Sequence, residues 1–581
     1  MEPAAKHGGD RVAEALKAHG VSLLFTLCGG HISPILTGAK ERNIRVVDVR
    51  SEAAAVFAAD AVTRMTGVPG IAAVTAGPGV TNTVTALKNA QLAQSALILF
   101  GGAAPTMLQG RGALQDIRQH PVVAPNVKLI RRVKSVRCIG HSVEGAFAIA
   151  CEGVQGPVFI ECAVDLLYDE SLVRGWYAEA AGNARTIAAK ILRLYLDRHL
   201  NRMFKGAARS LPPMVQKVEA PSPPRSRVSA AASRLRKAEK PLAVIGSQVL
   251  GAGADAGAVA AAVASLGIPV YLSGMARGLL GPDHALQLRH QRRQALREAD
   301  CVILAGVPCD FRLDYGRHVR QSATLIAANR SRREARMNRV PDIAAIGDAG
   351  LFLQQLSDEF SNSAVRCDEW ITKLRARDEQ REAEIATQAA AAGEFVNPIA
   401  LLKAIDSTAA HNAIFVADGG DFVATASYIV RPRGPRTWLD PGPFGTLGVG
   451  GGFALGAALC RPDAEIWVLF GDGACGYSLA EFDTFVRHGI PIIAVVGNDA
   501  GWTQIAREQV KILKDDIGTV LARSAYHEVA AGFGAEGILV KSNAEIAEAL
   551  ARAKTAAKAG KPVLINAWLD KTDFREGSIS M

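Results

Sequence analysis

The sequence predicts an α/β protein with three parallel-sheet domains. Three blocks, roughly 7–170, 239–358 and 394–581, alternate short apolar runs with stretches of helical character. This alternation is typical of parallel sheets, because each strand reaches its parallel neighbour through a crossover helix. The chain has 581 residues, which is too many for a single hydrophobic core. We therefore expect several Rossmann-like domains joined by linkers.

The first domain is predicted over residues 1–170. Its expected strands are the short apolar runs at 23–25, 46–47, 71–74, 96–100 and 158–160. Each run is too short for a typical helix, and helical stretches separate them. We expect a mostly parallel sheet with helices on both faces.

A linker is predicted over residues 171–238. Its segment 185–209 contains seven basic residues and one acid, and its apolar residues recur at helical spacing. Prolines at 212–213 and between 221 and 224 indicate an extended tether. The basic amphipathic helix is either a connection packed on its own domain or a surface for lipid or an acyl chain. The second alternative predicts weak membrane association through 185–209.

The central domain is predicted over residues 239–358. Apolar runs at 241–245, 270–272, 301–305 and 325–327 read as its strands. Each run ends in a turn, as in a Rossmann-like domain. A second linker, 359–393, contains a charged helical stretch and leads into the third domain, predicted over 394–581.

The third domain contains the most informative motif of the chain. Gly471-Asp472-Gly473 follows one apolar run, and Asn498, which lies 26 residues after Asp472, follows another. Two parallel strands joined by a helix would bring Asp472 and Asn498 together at the carboxyl edge of the sheet. Such oxygen ligands suit Mg²⁺, and the glycines allow a diphosphate to approach the backbone. The alternative is a pair of ordinary strand-to-helix turns.

Composition excludes several classes of protein. The net charge of +10 is modest for this length, and no basic stripe with aromatic residues accompanies it, so nucleic acid is not expected as a partner. The nine cysteines include no CxxC pair, which argues against a disulfide scaffold or a zinc site and for a reducing compartment. The first residues lack the apolar core of a signal peptide, and no apolar run could span a membrane. The predicted location is cytoplasmic.

The order of these motifs resembles the thiamine-diphosphate enzyme superfamily. Within it, the sequence is most similar to the acetolactate-synthase-like 2-hydroxyacyl-CoA lyases. The segments that carry this similarity are 29–34, 75–79, 274–280, 440–450 and 573–578. The resemblance implies a pyrimidine-binding domain, a central domain and a diphosphate-binding domain, with thiamine diphosphate and Mg²⁺ as cofactors. It leaves open whether the central domain binds ADP or FAD.

On the pyrimidine side, the resemblance assigns catalytic roles to Glu52, His31 and Gln115. Glu52 would hydrogen-bond the cofactor pyrimidine and favour its imino tautomer, and burial among apolar neighbours should raise its pKa. Taken alone, Glu52 could equally be an acid at a helix N-terminus. His31 follows two glycines and would exchange a proton with the substrate hydroxyl, unless its role is structural. Gln115 matches a glutamine that faces the thiazolium ring in relatives.

On the diphosphate side, the resemblance implies Mg²⁺ ligands at Asp472, Asn498 and the backbone carbonyl of Ala500. It also implies cofactor contacts at Gly419, Gly420, Leu447, Gly473, Ala474, Asn498 and Trp502. Leu447 would be an apolar wedge that keeps the cofactor bent, and core packing is its alternative role.

The resemblance implies cleavage of the C1–C2 bond of a 2-hydroxyacyl-CoA. The products would be formyl-CoA and an aldehyde one carbon shorter, and the reaction would be reversible. The alternative is acetolactate synthase or another carboligase or decarboxylase of 2-oxoacids, so the substrate is either an acyl-CoA or a 2-oxoacid. A degenerate, non-enzymatic scaffold is disfavoured because Glu52, Asp472 and Asn498 are all present. A homodimer or homotetramer is expected, since the superfamily builds its site from two subunits.

Overall fold

Three six-stranded sheets organise the chain, and every ladder between their strands is parallel in the residues that the structure describes. The computed structural model describes residues 7–182, 186–207, 215–216, 218–360 and 366–576. By internal contacts the chain divides into two units, Met1–Glu219 and Ala220–Met581. The predicted α/β class with three Rossmann-like parallel sheets is confirmed.

The first unit contains one of the three sheets. Its strands are β1 (Leu23–Leu27), β2 (Arg45–Asp48), β3 (Gly70–Val74), β4 (Leu97–Ala103), β5 (Leu129–Arg132) and β6 (Val158–Ala163). Its helices are α1 (Gly8–Ala18), α2 (Ser33–Glu41), α3 (Glu52–Thr66), α4 (Pro78–Thr81), α5 (Val84–Leu92), α6 (Gln119–Val123), α7 (Ile139–Cys151), α8 (Glu170–Ala181) and α9 (Ile187–Phe204). The strand order is β2-β1-β3-β4-β6-β5.

The order of this sheet positions a crevice. β2 and β3 lie on opposite sides of β1, so the loops after β1 and β3 diverge at the carboxyl edge. Ligands of open α/β sheets bind at such a switch point. Strands β3, β4 and β6 are buried along their whole length, as a parallel sheet covered on both faces requires. The sequence did not indicate β5, a half-exposed edge strand.

The second unit contains the other two sheets, of which the central one comes first in the chain. Its strands are β7 (Pro241–Ile245), β8 (Val270–Leu272), β9 (Gln287–Leu288), β10 (Cys301–Ala305), β11 (Thr324–Asn329) and β12 (Ile343–Ile346). The accompanying helices are α10 (Arg225–Leu235), α11 (Ala256–Ser265), α12 (Arg292–Glu298), α13 (Ala349–Asp358) and α14 (Asp368–Ala389). The order is β12-β11-β10-β7-β8-β9.

Two helices outside the predicted central domain join its core. Leu235 of α10 and Trp370 of α14 belong to the same buried cluster as strand β7. Both residues lie in segments that the sequence suggested as linkers. The boundaries 1–170, 171–238, 239–358, 359–393 and 394–581 stay predictions.

The last sheet carries the Asp472 motif. Its strands are β13 (Ile414–Ala417), β14 (Trp438–Leu439), β15 (Ile466–Gly471), β16 (Ile493–Asn498), β17 (Glu536–Val540) and β18 (Val563–Trp568). Its helices are α15 (Pro398–Thr408), α16 (Asp421–Ile429), α17 (Val449–Cys460), α18 (Asp472–Cys475), α19 (Glu481–His488), α20 (Thr503–Leu513), α21 (Tyr526–Gly532) and α22 (Ile546–Lys558). The order is β14-β13-β15-β16-β18-β17, so the switch point lies between β13 and β15.

The helix predicted within 185–209 is α9. Arg185, Arg209 and the prolines at 212–213 lie outside the described residues. Among the helices that the structure describes, none has the length and apolar character needed to cross a membrane.

Candidate active site

Glu52 is the first residue of α3, directly after Ser51 in extended backbone. The helix is rich in alanine and buried along most of its length, so its N-terminus is fixed against the sheet. Only 7% of Glu52 is exposed. The side-chain amide of Asn82 donates a hydrogen bond of 3.0 Å to Glu52 Oε2. The expected burial of Glu52 is confirmed, and Asn82 is a partner that sequence reasoning missed.

His31 and Gln115 meet through a third residue, Thr75. His31 Nδ1 lies 3.1 Å from Thr75 Oγ1, and that hydroxyl donates to Gln115 Oε1 at 3.3 Å. His31 follows β1 and Thr75 follows β3, so the line crosses the switch point of the first sheet. Thr75 lies in the segment 75–79, which carries the family resemblance, but it was not among the predicted site residues.

Backbone geometry at this crevice depends on glycine. A Cβ at Gly77, whose φ is +62°, would lie 2.6 Å from the carbonyl oxygen of Gln115. A Cβ at Gly102 would lie 2.5 Å from Cβ of His31. Gln115 itself has a φ of +61°, an uncommon conformation for a residue with a side chain. Such strain persists where the surroundings fix it, as at many functional sites.

A polar cavity of about 640 Å³ borders Gln115 in the first unit. Gln119 lines this cavity and is buried. It accepts a hydrogen bond from the Gly77 amide at 3.1 Å and donates one to Glu161 Oε2 at 3.0 Å. Sequence reasoning identified neither Gln119 nor Glu161. A polar residue such as Gln119 gives no periodic signal that would reveal its burial.

The imidazole of His31 is half-buried, and burial lowers its pKa below the ordinary 6.5 because the charged form is less well hydrated. At neutral pH the ring is therefore neutral and can accept a proton. Burial is the cause of this shift, and the hydroxyl of Thr75 is a neutral hydrogen-bond partner.

In the second unit, β15 and β16 pair with Gly471 opposite Gly497, which brings the next residues, Asp472 and Asn498, side by side. Asp472 accepts backbone hydrogen bonds from Gly473 at 2.8 Å and from Gly501 at 3.0 Å. Burial and the nearby Asp499 raise the pKa of Asp472 to about 6. A cation bound next to this buried carboxylate would stabilise its ionised form.

Asn498 is fully buried, and the orientation of its amide is fixed by Asn566. Its Nδ2 donates to Asn566 Oδ1 at 3.2 Å, and its Oδ1 accepts from the amide of Ala500 at 3.3 Å. Ala500 has a φ of +57°, a left-handed conformation that turns the chain sharply after β16. Among the described residues no cluster of three His, Cys, Asp or Glu could hold a metal. Asp472, Asn498 and the carbonyl of Ala500 could offer one carboxylate with amide and carbonyl oxygens, a set that would suit Mg²⁺.

Asp418, the residue after β13, holds the loop of Leu447. Its two carboxylate oxygens accept hydrogen bonds of 2.8 Å from the amides of Gly448 and Gly450. Burial raises the pKa of Asp418 to about 7 in spite of these bonds. A Cβ at Gly419 would lie only 2.1 Å from Cδ2 of Leu447. Leu447 can occupy this position only because residue 419 is glycine.

A cavity of about 530 Å³ opens at this switch point. Its walls include the predicted cofactor residues Gly419, Gly420, Leu447, Gly473, Ala474 and Trp502, together with Asp472. Gly420 has a φ of +110°, and a Cβ at Gly473 would overlap the ring of Trp502. The cavity thus offers glycine backbone next to a buried carboxylate, and this combination fits a metal-bound diphosphate.

The central sheet has its own switch point between β7 and β10, where polar side chains contact one another. The side chain of Gln248 donates to Asn329 Oδ1 at 3.1 Å and accepts from the Arg330 amide at 2.8 Å. A Cβ at Gly306 would lie 2.8 Å from Cβ of Gln248. Gln248 thus lies close to the backbone after β10. Binding of ADP or FAD by the central domain stays a prediction.

Arginine side chains can bind phosphates such as those of CoA. Three arginines of the second unit are, however, engaged with other groups. Arg330 forms a buried ion pair of 2.7 Å with Asp348, and Arg312 pairs with Asp310 at 2.6 Å. Arg575 donates to Gln504 Oε1 at 3.3 Å, beside Asp421.

Comparison with protein families gives three matches along the chain. Residues 6–122 match the N-terminal TPP binding domain of thiamine pyrophosphate enzymes, 228–356 the central domain and 418–567 the C-terminal TPP binding domain.

Curated relatives extend this similarity to nearly the whole chain. The 2-hydroxyacyl-CoA lyase 2 of Danio rerio is 48% identical over 99% of this chain and 94% of its own. The protein of the same name from Homo sapiens is 47% identical over 99% of this chain and 92% of its own. A probable acetolactate synthase of Mycobacterium bovis is 34% identical over 97% of this chain and 96% of its own.

Proposed function

The chain belongs to the thiamine pyrophosphate enzymes, and on that premise we propose that it is a 2-hydroxyacyl-CoA lyase. It cleaves the bond between C1 and C2 of a 2-hydroxyacyl-CoA and releases formyl-CoA and an aldehyde one carbon shorter. Because the addition of formyl-CoA to an aldehyde is the reverse reaction, the enzyme also joins the two products. Relatives named 2-hydroxyacyl-CoA lyase 2, 47–48% identical over almost the full length, support this function.

The observation that carries the proposal is the hydrogen-bonded line from His31 through Thr75 to Gln115. A 2-hydroxyacyl-CoA must lose its hydroxyl proton as the C1–C2 bond breaks, whereas a 2-oxoacid has no such proton. A neutral imidazole is suited to take that proton. His31 therefore favours the lyase over acetolactate synthase.

When bound, thiamine diphosphate would supply a carbanion that adds to a carbonyl carbon, and its ring would accept the electron pair of the bond that breaks. Glu52 provides the buried carboxyl for the cofactor pyrimidine, and Asn82 fixes its orientation. Asp472, Asn498 and the carbonyl of Ala500 would hold Mg²⁺, which would offset the charge of the diphosphate. Gly419, Gly420, Gly473 and Ala474 would border the diphosphate, and Leu447 and Trp502 would shape the pocket. Gln115 would face the reacting carbon.

A homodimer or a dimer of dimers completes the site. This arrangement is supported by apolar side chains that remain exposed beside both sets of site residues. Leu114 is 80% exposed next to Gln115, and α20, which begins next to Trp502, has no buried residue. A partner subunit that covers these residues would join the two sets. A cytoplasmic location is supported by nine cysteines that are all free thiols.

Turnover of the purified protein with thiamine diphosphate and Mg²⁺ tests the function. We expect 2-hydroxyacyl-CoAs of graded chain length to yield aldehyde and formyl-CoA in equal amounts. Glu52→Gln should abolish this turnover, and Glu41→Gln, which removes an exposed carboxylate of α2, is the matched control. Conversion of pyruvate to acetolactate without any release of formyl-CoA would refute the lyase assignment.

A further inference from the structure

Helix α9 has two apolar faces, and only one of them is covered. Leu196, Leu200 and Met203 form the buried face. The opposite face is a stripe of four residues at spacing i, i+4, i+7 and i+8, which we call the α9 stripe: Ile187, Ile191, Leu194 and Tyr195. Their exposed fractions are 78%, 64%, 72% and 57%. A helix on the surface of a globular protein normally has one apolar face, so the second face needs a partner.

The stripe has a fixed orientation, because the carboxyl half of α9 is anchored to the first unit. His199 Nε2 lies 2.7 Å from Thr106 Oγ1, and Thr106 in turn bonds to buried Asp165 at 2.6 Å. Arg174 of α8 donates to Asn201 Oδ1 at 2.7 Å. The exposed stripe thus lies on the amino-terminal half of a helix whose carboxyl half is anchored.

Basic residues border the α9 stripe. Lys190 and Arg198 are exposed and lie three or four positions from members of the stripe, which puts them on the same side of the helix. Arg202, also exposed, continues this side about one turn beyond Arg198. Asp197 is the one acid of α9. On the adjacent helix α8, Trp176 is partly exposed, and tryptophan favours the boundary between water and lipid.

We propose that the α9 stripe binds the surface of a membrane that contains anionic lipids. The apolar side chains would enter the boundary between headgroups and acyl chains, and the basic residues would contact lipid phosphates. A second copy of the chain is a poorer partner. In a symmetric contact Lys190, Arg198 and Arg202 would face their own equivalents, and the charges would repel.

Vesicle flotation with the purified full-length protein tests the proposal. We expect binding to vesicles of phosphatidylcholine with phosphatidylglycerol, weaker binding to phosphatidylcholine alone, and release at high salt as charges are screened. Ile191→Glu with Leu194→Glu should lower the partition coefficient by about tenfold or more, because two apolar side chains leave the lipid. Val154→Glu with Val340→Glu adds the same charge at other exposed positions and should bind like wild type.

Further measurements distinguish lipid binding from self-association and from loss of folding. Lys190→Gln with Arg198→Gln leaves the stripe intact and should remove the preference for anionic vesicles. Thermal unfolding shows whether each variant is folded, and light scattering gives the number of subunits. Equal flotation of wild type and the stripe variant would overturn the proposal. The proposal would also be overturned if the wild type did not bind vesicles and the stripe variant had a different number of subunits.

Discussion

Replacing Gly473 by alanine tests the geometry of the cavity that we propose for the diphosphate. The added Cβ would lie 2.4 Å from Cη2 and 2.6 Å from Cζ2 and Cζ3 of Trp502. Carbon atoms in contact are normally about 3.5–4.0 Å apart, so the ring has to withdraw by roughly 1 Å or more. Trp502 and Gly473 both line the cavity, so the methyl group and the displaced ring take space from the ligand.

Two energies of opposite sign act at Gly473. The residue lies in the short helix α18, where alanine is favoured over glycine by about 1 kcal/mol. Overpacking of a filled site costs about 1–3 kcal/mol. In the cofactor-free protein the ring can relax towards the cavity, so the free energy of unfolding should change little. With ligand bound that relaxation is blocked, and we expect affinity for thiamine diphosphate to fall about 10-fold to 100-fold.

Titration calorimetry with thiamine diphosphate and Mg²⁺ measures this loss, and a double-mutant cycle assigns it to the ring. Trp502→Leu removes the atoms that the methyl group meets, so Gly473→Ala in that background should cost less than about threefold. The reasoning is refuted if Gly473→Ala binds the cofactor like wild type. It is also refuted if the full loss persists without the tryptophan.

Three further predictions follow from the remaining site residues. Asn82→Ala removes the 3.0 Å bond to Glu52, and steady-state kinetics should show kcat about tenfold lower with cofactor affinity near that of wild type. Burial lowers the pKa of His31, so kcat/KM should fall only at a pH below the ordinary value of 6.5. His31→Gln should lower the rate and remove this fall of kcat/KM at acidic pH. The pKa of Asp472 is raised to about 6, and a cation binds only the ionised carboxylate. Calorimetry should therefore find that the affinity for Mg²⁺ falls about tenfold per pH unit below pH 6. In Asp472→Asn this pH dependence should be lost.

Residues that directly follow a strong apolar run could be predicted from the sequence. The run 466–470 lies within β15, and the pairing of β15 with β16 brings Asp472 beside Asn498 as expected. Glu52 and the helix within 185–209 could also be predicted from the sequence, because a local pattern indicates each of them. The chemical roles of these residues stay predictions.

Partners from distant parts of the chain could not be predicted in this way. Asn82 reaches Glu52 across 30 residues, and Asn566 reaches Asn498 across 68. Such contacts depend on the order of strands and on side-chain direction, neither of which a local pattern contains. Short edge strands such as β14, which has two residues, were missed for a related reason: their apolar runs are no longer than those of ordinary loops.

Each of the three sheets has a strand order that provides a crevice, and the residues around these crevices differ. Each sheet has a switch point beside its first strand, at β1, β7 or β13. In the first and last sheets a cavity lies at the carboxyl edge, lined by Gln115 in one and by Asp418 in the other. At β7 the side chain of Gln248 donates a hydrogen bond to Asn329. Because all three sheets have such a switch point, we expect the few residues after each strand to decide what each crevice binds.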